Sequence, residues 1–189
     1  MEIMVDIETL ALTPDAAIVQ IGAVQFEFGK GIGETFMRNI EMQDALHGSR
    51  AVDLKTVEWW LRNHSAPLVF SAEPRVPLRQ ALHEFVAFIP LNFRVWGKGY
   101  GFDITILEHA LREYSIAVPW KYNQIFDART LFTLARHHLR PTCAEDWQPP
   151  LRGTSLIEHD ARCDAIHQAG CAMSALEWLE VDFFARTEG

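Results

Sequence analysis

An α/β fold with a mixed five-stranded sheet flanked by helices is what this sequence predicts, from three observations. Three β-rich segments joined by short connections open the chain, and such an arrangement makes an antiparallel meander. From Phe93 onward, short apolar runs alternate with segments of helical period, which adds parallel strands. The first strand, apolar through Ile3, Met4 and Val5, is interrupted by Asp6 and Glu8. Residues two apart in a strand share a face, so the two carboxylates stand side by side.

Element by element, the meander comprises the strand around Ile3–Glu8, a second over Ile18–Phe28, and a third over Glu34–Ile40 after a turn at Gly29–Gly33. Asp53 is a good N-cap for a short helix over Leu54–Leu61. Pro67, Pro74 and Pro77 break up the next region. Pro77 suits the first position of a helix running to about Ile89, with Leu78, Leu82, Phe85, Val86 and Ile89 on one face. Phe93–Gly97 is a short strand ending in a glycine-rich turn. A helix over Phe102–Tyr114 follows, with Ile104, Leu107, Ala110 and Leu111 facing inward. Ile125 and Phe126 form a fifth strand leading into a helix from Asp127 to about Leu139. Three prolines make Pro141–Leu151 irregular, and a long helix spans about Asp160 to Phe184. No repeat, low-complexity tract or linker divides residues 1–189, which read as a single domain.

At 189 residues and 49% hydrophobic content, the chain can bury a sizeable core. Its three cysteines, Cys143, Cys163 and Cys171, are odd in number and lack C-x-x-C pairing, which suits reduced thiols and a cytoplasmic location. Cys163 and Cys171 fall in a helical segment and read as core. A zinc site from His137, His138 and Cys143 lacks a fourth ligand at sensible spacing. Neither a secretory signal nor a transmembrane run is visible, so no membrane partner is expected. The net charge of −8 argues against gripping long duplexes by their phosphates. Carboxylates gathered around metal ions would contribute to that total while an occupied site is far less negative.

Burying Asp6 beside Glu8 costs several kcal/mol unless something positive lies between them. A divalent cation with hard oxygen ligands, Mg²⁺ or Mn²⁺, serves this purpose. The plain alternative is a strand end where both carboxylates reach water. Asp103 sits at a helix start just past a strand, where a carboxylate favours the helix N-terminus but where open α/β sheets also keep functional groups. In His159-Asp160-Ala161-Arg162-Cys163-Asp164, Asp160 reads as the cap of the last helix and Asp164 lies about one turn in. His159 precedes the helix on a loop. Singly, His159 is a surface histidine and Asp164 a solvated helix residue; together with the other carboxylates they lack a common dull explanation.

Asp6-x-Glu8 on the first strand, Asp103 after a glycine-rich turn, and His159 five positions before Asp164 resemble the DEDDh 3′–5′ exonucleases, which have a ribonuclease-H-like fold. Thr56-Val57-Glu58-Trp59-Trp60-Leu61, and Trp96-Gly97-x-Gly99 with Phe102-Asp103, are most similar to the small bacterial and phage exoribonuclease-like group that includes RNase AS. The resemblance implies that Asp6, Glu8, Asp103 and Asp164 hold two divalent cations, Mg²⁺ or Mn²⁺, and that His159 is the general base. Two ions about 3.5–4 Å apart can stabilise both the attacking and the leaving oxygen of an in-line displacement. The implied reaction removes nucleoside 5′-monophosphates from the 3′ end of single-stranded RNA or DNA, with RNA favoured by the subgroup.

In such enzymes the segment after the first carboxylates meets the 3′-terminal nucleotide, which makes Thr9, Leu10 and the Ile21-Gly22 backbone substrate-binding candidates. Leu10 could wedge between bases or belong to the core. Trp59 and Trp60 cannot both face the same way on a helix, so one packs inward and the other is free to stack on a base. Phe102 has the same double reading. Lys98, Arg129, Arg152 and Arg162 are possible phosphate contacts. A homodimer is compatible with the tryptophans serving an interface instead. A non-catalytic nucleic-acid-binding module on the same fold should have lost carboxylates, and this chain retains the set.

Overall fold

A computed structural model describes residues 1–46, 48–138 and 158–179. Chain order runs β1 (Glu2–Thr9), β2 (Ile18–Glu27), β3 (Gly31–Ile40), α1 (Met42–Ala45), α2 (Leu54–Arg62), α3 (Ala66–Ser71), β4 (Arg75–Val76) and α4 (Leu78–Phe88). It continues with β5 (Arg94–Gly97), α5 (Asp103–Glu113), a 3₁₀ turn (Tyr122–Gln124), β6 (Ile125–Asp127), α6 (Ala128–His138) and α7 (Ala161–Trp178). The α/β class and the meander are as the sequence predicts, but the described sheet has six strands, in the order β4-β3-β2-β1-β5-β6. The additional strand is β4, two residues that pair in parallel with Asn39 and Ile40 on β3. A two-residue strand between prolines carries no alternation to read. Pro77 also sits one place earlier than expected, at the N-cap of α4, where the Asp44 carboxylate accepts a hydrogen bond from Leu78 N–H.

The pleat of β1 explains how the layers form. Ile3, Val5 and Ile7 point to one face and pack with Leu78, Leu82 and Phe85 of α4 and Ile104, Leu107 and Leu111 of α5. Met4 points to the other face, into a second cluster with Ala128, Leu131 and Ala135 of α6 and Ala165, Ala169, Ala172 and Ala175 of α7. The alanines let the α7 backbone lie close against the sheet. Cys163 and Cys171 are buried on α7, as expected of core residues. By the same parity Glu2, Asp6 and Glu8 lie on the α7 side of β1. The proposed irregular stretch 141–151, Cys143, Arg152, and the ends of the last two helices at Leu139 and Phe184 fall outside the described residues. Among the described residues, no helix is long and apolar enough to cross a membrane.

Candidate active site

Three elements bring four carboxylates to one end of β1. Asp6 and Glu8 come from the strand itself, Asp103 from the first position of α5, and Asp164 from the first turn of α7. Asp103 is buried and accepts a hydrogen bond from Ile7 N–H at 3.3 Å, so α5 is tied directly to the strand between the other two acids. Gly97 ends β5 beside it, and a Cβ there would meet Asp103 Oδ2 at 3.4 Å. The cap expectation holds: Asp160 accepts from Cys163 N–H at 2.9 Å. Asp164 instead turns toward the site, where its Oδ2 accepts from His159 N–H at 3.0 Å. His159 takes a left-handed backbone conformation, φ 60°, and this folds the loop back over Asp164. Glu8, His159 and Asp164 then offer ligand atoms that all lie within 4.8 Å of one another.

The electrostatics follow from burying acids together. Burial, and then the charges of Asp103 and Asp164, hold the Asp6 carboxyl well above the ordinary carboxylate range. Burial, reinforced by Asp6 and Asp164, pushes Glu8 up to about 10. Burial raises Asp103 to about 7 against the Ile7 N–H bond, and it raises Asp164 against the bond from His159 N–H. Glu2 provides the contrast, at the far end of the same face of β1. Its buried carboxylate accepts from Arg94 Nε at 2.9 Å and from Trp96 Nε1 at 2.7 Å. Asp6, Glu8, Asp103 and Asp164 form no ion pair with lysine or arginine among the described residues. The chain neutralises one buried acid with its own guanidinium and leaves four for a cation from outside. An oxygen-rich donor set of this kind fits a hard divalent ion.

These shifts predict a pH dependence for the metal-free protein. Glu8 in the folded state keeps its proton up to about 10, whereas unfolding returns it to an ordinary 4.5. Between those values the folded state binds more protons, so stability falls as pH rises. Thermal melts in chelator should give a higher Tm at about pH 5 than at about pH 9, and saturating Mn²⁺ should remove or reverse the trend. A metal-free Tm that rises across this range would contradict the buried-acid description.

A cleft of about 440 Å³ opens beside the acids, lined by Ile7, Glu8, Thr9, Leu12, Asp53, Lys55, Thr56, Trp59, Trp60 and Phe102. The tryptophan pair divides as the helix period requires. Trp60 is buried, donating Nε1–H to Thr9 O at 2.9 Å, while Trp59 is half exposed and meets the His159 ring edge-on at 4.8 Å between centroids. Phe102 and Thr9 line the cleft, although the Thr9 hydroxyl is spent on Ala11 O at 2.7 Å.

Three substrate-binding candidates lie elsewhere. Leu10 is buried with Val19, Trp60 and Val69, and the leucine at the cleft is the exposed Leu12. Ile21 is fully buried in the sheet core. Gly22 pairs with Asp6 in the β1–β2 ladder, and its open side receives α7: a Cβ there would lie 2.1 Å from the Ala161 carbonyl carbon. Gln20, two residues earlier, accepts from Ala161 N–H at 3.3 Å, so β2 seats the helix start that carries His159 and Asp164. Gly22→Ala is therefore expected to destabilise the fold by about 1–3 kcal/mol, as overpacking does, and to lower turnover by lifting that helix start. Thermal melting together with initial rates checks it; wild-type values for both would mean α7 is not seated this way.

Of the proposed phosphate contacts, Arg129 donates to Lys98 O at 3.0 Å, and Arg162 lines a separate cleft with Arg38, Asn39 and Glu84. Leu12, Asp53, Lys55 and Thr56 at the cleft escaped sequence reasoning. The signal for Thr56 was its helical spacing of three and four from Trp59 and Trp60.

The sequence of residues 1–176 matches the family described as the 3'-5' exoribonuclease Rv2179c-like domain. No curated protein matches the sequence. Among solved structures, the chain resembles cell-death related nuclease 4 (CRN-4) with a TM-score of 0.57 and 14% identity, over 93% of this chain and 63% of that one. It resembles exonuclease X, solved with 5′ overhanging duplex DNA, at TM-score 0.53 and 13% identity over 94% and 92% of the two chains. It also resembles the nuclease domain of 3'hExo, a DEDDh family member bound to rAMP, at TM-score 0.55 and 13% identity over 93% and 91%. At such identities these three likenesses establish the ribonuclease-H-like fold, while the sequence match establishes the family. The chain belongs to the Rv2179c-like 3'-5' exoribonuclease domain family.

Proposed function

We propose that residues 1–189 form a single metal-dependent exonuclease domain that releases nucleoside 5′-monophosphates from single-stranded 3′ ends, with RNA preferred to DNA. The observation that carries this reading is the convergence of four buried or half-buried carboxylates, without an ion pair among the described residues, with His159 beside an aromatic cleft. Asp6, Glu8, Asp103 and Asp164 would hold two Mg²⁺ or Mn²⁺ ions. When bound, the pair stabilises the attacking and leaving oxygens of an in-line phosphoryl displacement. His159 takes the proton of the attacking water on a ring nitrogen, and Asp164 orients its backbone. Trp59 and Phe102 offer flat faces to the terminal base, a contact worth about 1–3 kcal/mol. The preference for RNA rests on the family's description as exoribonuclease.

The buried free thiol of Cys171 suits a reducing cytoplasm. Exposed Leu54, Leu61 and Leu68 on α2 and α3 suit a homodimer. The test is to incubate the protein with Mn²⁺ and end-labelled single-stranded RNA or DNA and to resolve the products over time. Expected are stepwise 3′ shortening, faster loss of RNA, and a block by a 3′-phosphate but not by a 5′-phosphate. Internal cuts in a circular single strand would overturn the exonuclease reading.

A further inference from the structure

One buried polar group in this region is used on one side only. Gln168 lies on α7 one turn beyond Asp164, so both side chains point from the same helix face toward β1. Its amide Nε2 donates to Asp6 Oδ1 at 2.7 Å. The side chain is 95% buried by its 5% exposure, and its Oε1 has no hydrogen-bond partner among the described residues. As a cation ligand Asp6 must be ionised, and an ionised carboxylate only accepts, so with a cation bound it faces the NH₂ group as it does here. The carbonyl end is thereby committed to the side that lacks a donor. A buried acceptor left in this state is unusual in folded proteins and calls for a donor supplied from outside the chain.

We propose that Gln168 is a positioning residue for the cation site, which rests on the reading of Asp6 as a metal ligand. Its Nε2–H holds one oxygen of Asp6, fixes the rotation of the carboxylate and leaves the other oxygen to the cation. Its Oε1 accepts from water that accompanies the cation into the site. A glutamine that merely satisfied a buried acid would need only the first of these bonds. The empty acceptor is what distinguishes the two roles. The spacing also links Gln168 to function, since a shift of α7 moves Asp164 and the Asp6 support together.

The test is Mn²⁺ titration by calorimetry on the chelator-treated wild type, Gln168→Met and Gln168→Asn, with a thermal melt of each metal-free protein. Methionine keeps the length and removes both bonds; asparagine keeps the amide and withdraws it by one methylene. Partners at this remove from a metal usually change affinity by about 10–100-fold when lost. The expected result is Mn²⁺ affinity weakened in that range for both variants, metal-free Tm close to wild type, and kcat recovered at saturating Mn²⁺. Wild-type affinity in either variant, once its melt shows it folded, overturns the proposal. Absence of Mn²⁺ binding by the wild type would instead overturn the reading of the site itself, so the two failures are distinct.

Discussion

Asp6→Asn is expected to abolish hydrolysis, to the level seen with wild type in chelator, while making the metal-free protein more stable. Both effects have one cause. Asp6 is buried against Asp103 and Asp164, and these surroundings disfavour its charge so long as no cation is present. Asparagine has nearly the same shape and can still accept from Gln168 Nε2, so packing is kept and repulsion is relieved. The same change removes a charged ligand from the centre of the site and with it the cation's hold. The measurements are initial rates on end-labelled single strands and thermal melts at neutral pH in chelator. A variant that retains substantial activity with added Mn²⁺ would sink the assignment of Asp6 to the cation site. A lower metal-free Tm would show that the buried acid is not a source of strain.

The second large effect concerns His159. If it acts as base alone, His159→Ala should slow the reaction by roughly 10²–10⁴-fold and leave Mn²⁺ affinity nearly unchanged. Some rate should return at higher pH, where hydroxide substitutes for the missing base. Asp164→Asn should weaken Mn²⁺ binding with no alkaline recovery. Asp160→Asn should be nearly silent, because Asp160 serves as the α7 cap and asparagine caps about as well. The structure sharpens this experiment, since the His159 ring is within reach of the ligand atoms of Glu8 and Asp164. A His159→Ala variant that loses Mn²⁺ as Asp164→Asn does would make the imidazole a ligand, and the base would have to be sought elsewhere. Its ring edge against Trp59 adds a readout, because movement of His159 should alter Trp59 fluorescence when substrate is added.

Much of this architecture is local and therefore legible without coordinates. The two-residue period of β1, the caps at Asp53 and Asp160, and the apolar stripe of α4 each depend on neighbours a few positions away. The same-side placement of Asp6 and Glu8 is a property of the pleat. The spacing that separates Asp160 from Asp164 is a property of the helix, and with it the cap from the acid that faces the site.

Other features are set by pieces of chain that meet only in the folded molecule. Whether Leu10 met a base or the core was open, because the ladder register shifts between Glu8 and Thr9 and the parity of β1 stops there. Which of Trp59 and Trp60 turns inward depended on Thr9 O being available to an indole N–H from another element. β4 exists only because β3 offers it a free edge. Gly22 read as a substrate contact, yet its missing side chain makes room for Ala161, which no local pattern places there. The sequence by itself determined the long strands and helices, their order and the acids each would bear, since those follow from backbone periods and caps. Only the tertiary structure decided which surfaces meet, because strand order and helix seating depend on long-range packing: α7 crosses β1 at Asp6, Gln168 bonds to it there, and four acids converge at one end of β1 with no ion pair to lysine or arginine among the described residues.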